Sequence, residues 1–196
     1  MRVALTFDTE HPARPCTGRV LELILASLAL AGAPATFFVQ GRWARSSPDQ
    51  ARRIGSAGHL IGNHSHHHAP MDSLTEDGIR ADVRAAGATI EAVTGVDPRP
   101  WFRCPFGVGM DDPDVVRRLA ELGYVHVGWD VDPRDWHEDN DAESVTRGVL
   151  EGIRGLHDSV VLLHSWPDAT AKALPRILSG LAAEGAELVD VATLGG

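Results

Sequence analysis

The chain has 196 residues, 43% of them hydrophobic and 23% charged, with a formal charge of -9 from 18 basic and 27 acidic side chains. That length and balance give one domain, 1–196, with a real core, and exclude a disordered linker or tail, since no Pro, Gly or Ser tract interrupts it. The acidic surplus excludes nucleic acid as a partner, because a polyanion is repelled unless a dense basic patch compensates, and none is visible.

Met1 to Phe7 reads as a strand from the outset and leaves no room for a signal peptide. The chain as given is therefore expected in the cytoplasm, or outside the cell if a leader has been trimmed. A helix follows over about Gly18 to Ala31; its apolar stretch contains Glu22 and is too short to span a membrane. Ala35 to Val39 is a second strand, Pro48 to Ser56 a helix and His59 to Asn63 a third strand. Ser73-Leu74-Thr75-Glu76 has the form of a capping box opening a helix that runs to about Val93 and stops at Gly95. Pro100 to Arg103 is extended, Pro113 to Leu122 helical up to Gly123, and Tyr124 to Trp129 a strand. Ala142 to Ile153, Val160 to Leu163, Thr170 to Ala183 and Glu187 to Val191 continue the alternation. About seven strand-helix units imply a parallel α/β sheet, open or closed into a barrel. Cys16 and Cys104 share no spacing pattern and are read as free thiols.

Polar residues fall at the carboxyl ends of these strands: Asp8, His64, Arg103, Asp130 and His164. In parallel α/β architectures those ends converge on one face, where ligands and catalytic groups collect. Around His64, the run Asn63-His64-Ser65-His66-His67-His68 places four histidines within five residues. His64 and His68 are spaced so that both can reach one ion if the backbone turns between them. The bland alternative is a solvated histidine loop. His66 and His67, adjacent in sequence, are not expected to share that ion.

Taken in order, these residues resemble the polysaccharide deacetylases of the NodB homology type, carbohydrate esterase family four. Thr6-Phe7-Asp8 looks like the opening Thr-Phe-Asp-Asp element, and His64-Ser65-His66-His67-His68 like His-Ser/Thr-x-x-His. Arg103-Cys104-Pro105-Phe106 is similar to Arg-x-Pro-Phe/Tyr, Asp132-Pro133-Arg134-Asp135-Trp136 to Asp-x-x-Asp-Trp, and Leu162-Leu163-His164 to Leu-x-His. The resemblance implies a distorted (β/α) barrel of about seven parallel strands and a metal-dependent deacetylase. It also implies a backbone N–H near Phe106 in the oxyanion site. One departure stands out: the family's two adjacent aspartates are here Asp8 and Thr9, then Glu10. The resemblance puts Glu10 on the metal with His64 and His68, and Asp8 on base duty; the exchange of roles between Asp8 and Glu10 stays open.

The residue types suit that chemistry. Amide hydrolysis needs an activated water, a stabilised oxyanion and a proton for the departing amine, and a divalent metal serves the first two needs. Asp8 is the candidate general base, held ionised by Arg103; His164 is the candidate general acid, kept protonated by Asp135. Trp136 and Trp166 are placed on the substrate side, since flat aromatic faces suit sugar rings, and the resemblance adds Phe106 and Leu162 from its matched elements; Trp129 and Trp101 are read as core. Cys104 could suggest a thiol hydrolase, but a small buried spacer is the better reading. The cofactor is one divalent ion, zinc, with cobalt or nickel as alternatives. The partner is an acetylated carbohydrate such as a chitin oligomer or peptidoglycan, N-acetylated before O-acetylated. A non-sugar amide, or sugar binding without efficient catalysis, are the rival readings. Nothing in the pattern sets the oligomeric state.

Overall fold

The first strand, β1 (Arg2–Thr9), alternates Val3, Leu5 and Phe7 with Ala4, Thr6 and Asp8, so its two faces differ in chemistry. A computed structural model describes residues 1–9 and 18–194. In it the odd-numbered face of β1 packs into the main apolar core with Phe37 and Val39 of β2 (Thr36–Val39), Ile61 of β3 (Leu60–Asn63), and Val161 and Leu163 of β6 (Asp158–His164). Helices cover that face. From α1 (Gly18–Ala31), Val20, Leu21, Ile24 and Leu28 are buried in the same core, each stabilising the fold by roughly 1.5–3 kcal/mol.

Every registered strand pair is parallel, in the order β5-β4-β3-β2-β1-β6, with β4 (Trp101–Phe102) and β5 (Val125–His126) only two residues long. The last strand, β7 (Glu187–Val189), pairs with Arg2 to Ala4, below the point where β2 begins at Thr6. On the far side, Val131 bridges Val161, so the chain leaving β5 curls round to β6 and the sheet becomes a distorted barrel. Ala4, Val189 and Val191 fill its lower interior, packed with Leu60, Trp101, Val127 and Val160.

Most helices lie where the pattern puts them. The helices α3 (Pro48–Ser56), α5 (Pro113–Glu121), α6 (Ala142–Gly152) and α7 (Asp168–Ala183) match, and Asp112 and Asp141 cap α5 and α6 through their side chains. Two readings are corrected, and two helices are new. The helix after the histidine run, α4 (Glu76–Thr94), starts two residues later than a cap at Ser73 requires: Thr75 accepts the Gly78 N–H, and Ser73 ends a separate 3₁₀ turn, Met71–Ser73. The strand expected over Tyr124 to Trp129 is only Val125–His126, because the carbonyls of Val127 and Gly128 are taken by a side chain, as described below. Two short helices, α2 (Gly41–Ser46) and α8 (Val191–Leu194), had no sequence signal. No helix among the described residues is long and apolar enough to cross a membrane.

Candidate active site

The even-numbered face of β1 points into the barrel, and Asp8 sits near its carboxyl end, only slightly exposed. Arg103, just after β4, reaches it from across the interior. Its guanidinium donates from Nη1 to Asp8 Oδ1 at 2.9 Å and to Thr6 Oγ1 at 2.8 Å, from Nε to the Val127 carbonyl at 3.1 Å, and from Nη2 to the Gly128 carbonyl at 3.0 Å. The Phe38 ring lies 4.1 Å from its central carbon. Gly62 makes room for that stack, since a Cβ there would meet the Phe38 ring at 2.6 Å. Arg103 has no exposed surface; burial lowers its pKa and Asp8 opposes the shift, and a guanidinium with so many acceptors keeps its charge near neutrality.

The histidine run turns sharply. His64 Nδ1 lies 2.9 Å from the Arg103 carbonyl, which can only accept, so Nδ1 carries the hydrogen and Nε2 presents its lone pair. His64 Nε2 and His68 Nε2 are 3.1 Å apart, and Asp8 Oδ2 is 3.5 Å from His64 Nε2. Two imidazole nitrogens at that separation fit as ligands of one ion held at about 2.0–2.1 Å from each. Among the described residues no three His, Cys, Asp or Glu side chains form a metal-holding group. Glu10, the expected third ligand, lies outside the described residues, as does Cys16. Thr9 faces away from Asp8 and donates its hydroxyl to the Phe38 carbonyl at 3.2 Å, which removes it from that duty.

His164 is the register partner of Asp8 on the adjacent strand β6. Its Nδ1 lies 2.7 Å from Asp135 Oδ1, while Asp135 Oδ2 accepts the His164 backbone N–H at 2.7 Å and the Thr170 hydroxyl at 2.5 Å. A buried carboxylate with three donors fixes the imidazole by its Nδ1–H and directs Nε2 into the site. The Trp166 ring is 5.8 Å from that of His164, and Trp136, the residue after Asp135, is 39% exposed. Phe106, 66% exposed, stands edge-on to His68 with ring centroids 4.5 Å apart. Leu162, in contrast, is buried.

Asp130 does not join the group. It is exposed, and its Oδ2 accepts the Val160 N–H at 2.8 Å, closing the barrel instead. Trp129 is half-buried rather than core, its ring 5.6 Å from the Arg103 guanidinium. Cys104 is buried and its thiol is pushed up to about 12 by desolvation, which removes any thiolate nucleophile. Among the described residues, the non-glycine residues with positive φ are Ser65, His68, Phe106 and Arg134, all within the matched elements. Such strain persists only where the surroundings hold it, and it clusters at functional sites.

Sequence reasoning missed Thr170, Asp82 and His126. Thr170 and Asp82 had a readable sign, a polar residue on the apolar stripe of a helix. His126, at the end of β5, has a buried Nε2 without a hydrogen-bond partner among the described residues. Burial and then Arg103 bring its pKa down from 6.5 to about 4, so it is neutral in the fold. On acidification the unfolded chain takes up this proton near pH 6.5, while the folded one refuses it until about pH 4, so stability falls through that window. Between pH 7 and pH 5 the loss from this group is about 2 kcal/mol. Urea unfolding at the two pH values should show a smaller drop for His126→Phe.

The polysaccharide deacetylase family matches residues 1–127. A chitooligosaccharide deacetylase of Rhizobium leguminosarum bv. trifolii is 33% identical over 162 residues, covering 83% of this chain and 70% of its own. A family 4 carbohydrate esterase from Streptomyces lividans, solved in complex with acetate, superposes with a TM-score of 0.81 at 30% identity over 94% of this chain and 90% of that one. A CE4 family pseudoenzyme from Bacillus anthracis superposes with a TM-score of 0.88 at 27% identity. The match takes in 98% of this chain and 64% of that one, so more than a third of that protein lies outside it.

Proposed function

Because the chain belongs to the polysaccharide deacetylase family, we propose that it hydrolyses the acetyl amide of N-acetylated sugars, with a divalent cation held at the His64–His68 pair. The observation that carries this reading is the pairing of Asp8 with His164. They are neighbours in register at the ends of parallel strands, about 4.8 Å apart along the sheet, each with its own buried counter-group, Arg103 and Asp135. Two titratable groups set side by side in opposite charge surroundings divide the work of base and acid.

His64, His68 and Glu10 are the residues that would hold the cation. When bound, it polarises the acetyl carbonyl and makes water a better nucleophile near neutral pH. Asp8 takes the proton from the attacking water through Oδ2, the oxygen turned toward His64, while Arg103 fixes Oδ1. His164 delivers a proton to the leaving nitrogen from Nε2. The backbone N–H of Phe106 is assigned to the oxyanion, Phe106, Trp136 and Trp166 to the path of the sugar, and Leu162, buried on the same face of β6 as His164, to its floor. If Asp8 proves to be the ligand, Glu10 takes over as base.

Chelation should abolish acetate release from chitin oligomers or peptidoglycan fragments, and zinc, or cobalt or nickel in its place, should restore it. Zinc-independent turnover would remove the cation from the scheme. A second reading, sugar binding without efficient hydrolysis, is supported by Thr9 standing where the family has its second aspartate, and by the likeness to a pseudoenzyme. It predicts saturable binding of chitin oligomers with no acetate released even when zinc is present.

A further inference from the structure

The buried stripe of α4 is made of Ile79, Val83, Ala86 and Ile90, and Asp82 interrupts it with a carboxylate that is only 7% exposed. Both of its oxygens are used. Oδ1 accepts the His66 backbone N–H at 2.7 Å and Oδ2 accepts that of His67 at 3.0 Å. The segment it holds is the strained one, since Ser65 and His68 have φ of 63° and 58°, a region that L-residues rarely adopt. Asn63 Oδ1 accepts the Ser65 N–H at one end of the turn, at 2.9 Å, and Ser65 Oγ accepts the His68 N–H at the other, also at 2.9 Å. Asp82 supplies the middle of the clamp, and supplies it from a helix rather than from the loop itself.

We propose that Asp82 is a positioning residue that keeps the turn in the form where His64 Nε2 and His68 Nε2 converge, and thereby sets the affinity of the pair for a divalent cation. The inference rests on the cation reading of that pair. An ionised carboxylate is suited to the task because it only accepts, so it can satisfy two neighbouring backbone N–H groups at once. An amide of the same shape offers one acceptor and sets an NH₂ against the second N–H, and the turn must then move. Outer groups that hold metal ligands in place commonly change affinity 10- to 100-fold when altered.

The test is a zinc titration of the metal-stripped full chain at pH 7, competed against a chromogenic chelator. Asp82→Asn should weaken zinc by about 10- to 100-fold. Ile90→Val, which trims the buried face of the same helix, should lower Tm but leave zinc affinity unchanged, separating position from mere stability. Should Asp82→Asn fail to fold, Asp82→Glu keeps both acceptors but moves them one methylene further out, and should weaken zinc by a smaller factor. Affinity unchanged in the folded Asp82 variant, or weakened equally by Ile90→Val, overturns the inference. An unaltered protein that takes up no zinc instead overturns the cation reading itself, and is a visibly different result.

Discussion

Replacing Asp8 by Asn should lower turnover of an N-acetylated chitin oligomer by about 10²–10⁴-fold, the range that a positioned general base contributes. The amide keeps the shape and one oxygen for the Arg103 Nη1, now 2.9 Å from Asp8 Oδ1, but it cannot take a proton from water. It also removes the charge that offsets a fully buried guanidinium. Because Arg103 retains Thr6, Val127, Gly128 and the Phe38 ring, the stability loss should stop at about 1–3 kcal/mol rather than unfold the chain. Acetate release and zinc content, measured on the same preparation, then separate the roles. Zinc retained with activity lost fits Asp8 as base; zinc lost with activity exchanges Asp8 with Glu10.

Much of this site was legible because Asp8, His64, Arg103 and His164 each follow an apolar run, and the carboxyl ends of parallel strands meet on one face; the two-residue repeat of a strand agrees. Once Val3, Leu5 and Phe7 are assigned to the core, Thr6 and Asp8 must share the other face, and the same count on β6 turns Leu162 and His164 inward. The barrel itself follows from strands that are buried on both faces and separated by helical stretches. What was not legible depends on distances across the fold. Nothing local marks Asp130 as a strut closing the barrel or Trp129 as a cover over Arg103, although both sit at the strand end where site residues collect. The shortened fifth strand has the same origin: two carbonyls that could have joined the ladder are taken by Arg103, a residue more than twenty positions earlier. The start of α4 was misplaced for a local reason. Ser73 and Thr75 are both good caps, and only the 3₁₀ turn that uses Ser73 decides between them.

Replacing His164 by Gln should also cost about 10²–10⁴-fold on an N-acetyl substrate, but by a different step, and the leaving group exposes the difference. An amine cannot depart from the tetrahedral centre without a proton, whereas the phenolate of an aryl acetate such as 4-nitrophenyl acetate departs unaided. His164→Gln should therefore cost less than about tenfold on the aryl ester, while Asp8→Asn, which acts on the attacking water, should cost nearly the same on both. KM for the sugar should change little in either variant. The pH profile carries the same distinction: the alkaline limb of kcat falls where the wild-type imidazolium loses its proton, and it should vanish in His164→Gln and persist in Asp8→Asn. Asp135→Asn should reproduce a weaker form of the His164 result. With its oxygen on the Nδ1–H at 2.7 Å it withdraws the charge that stabilises the imidazolium, and it sets its NH₂ against the His164 backbone N–H that Asp135 Oδ2 accepts at 2.7 Å. Equal losses on amide and aryl ester for His164→Gln would place that histidine in attack or binding, and the division of labour between the two neighbouring strands would have to be redrawn.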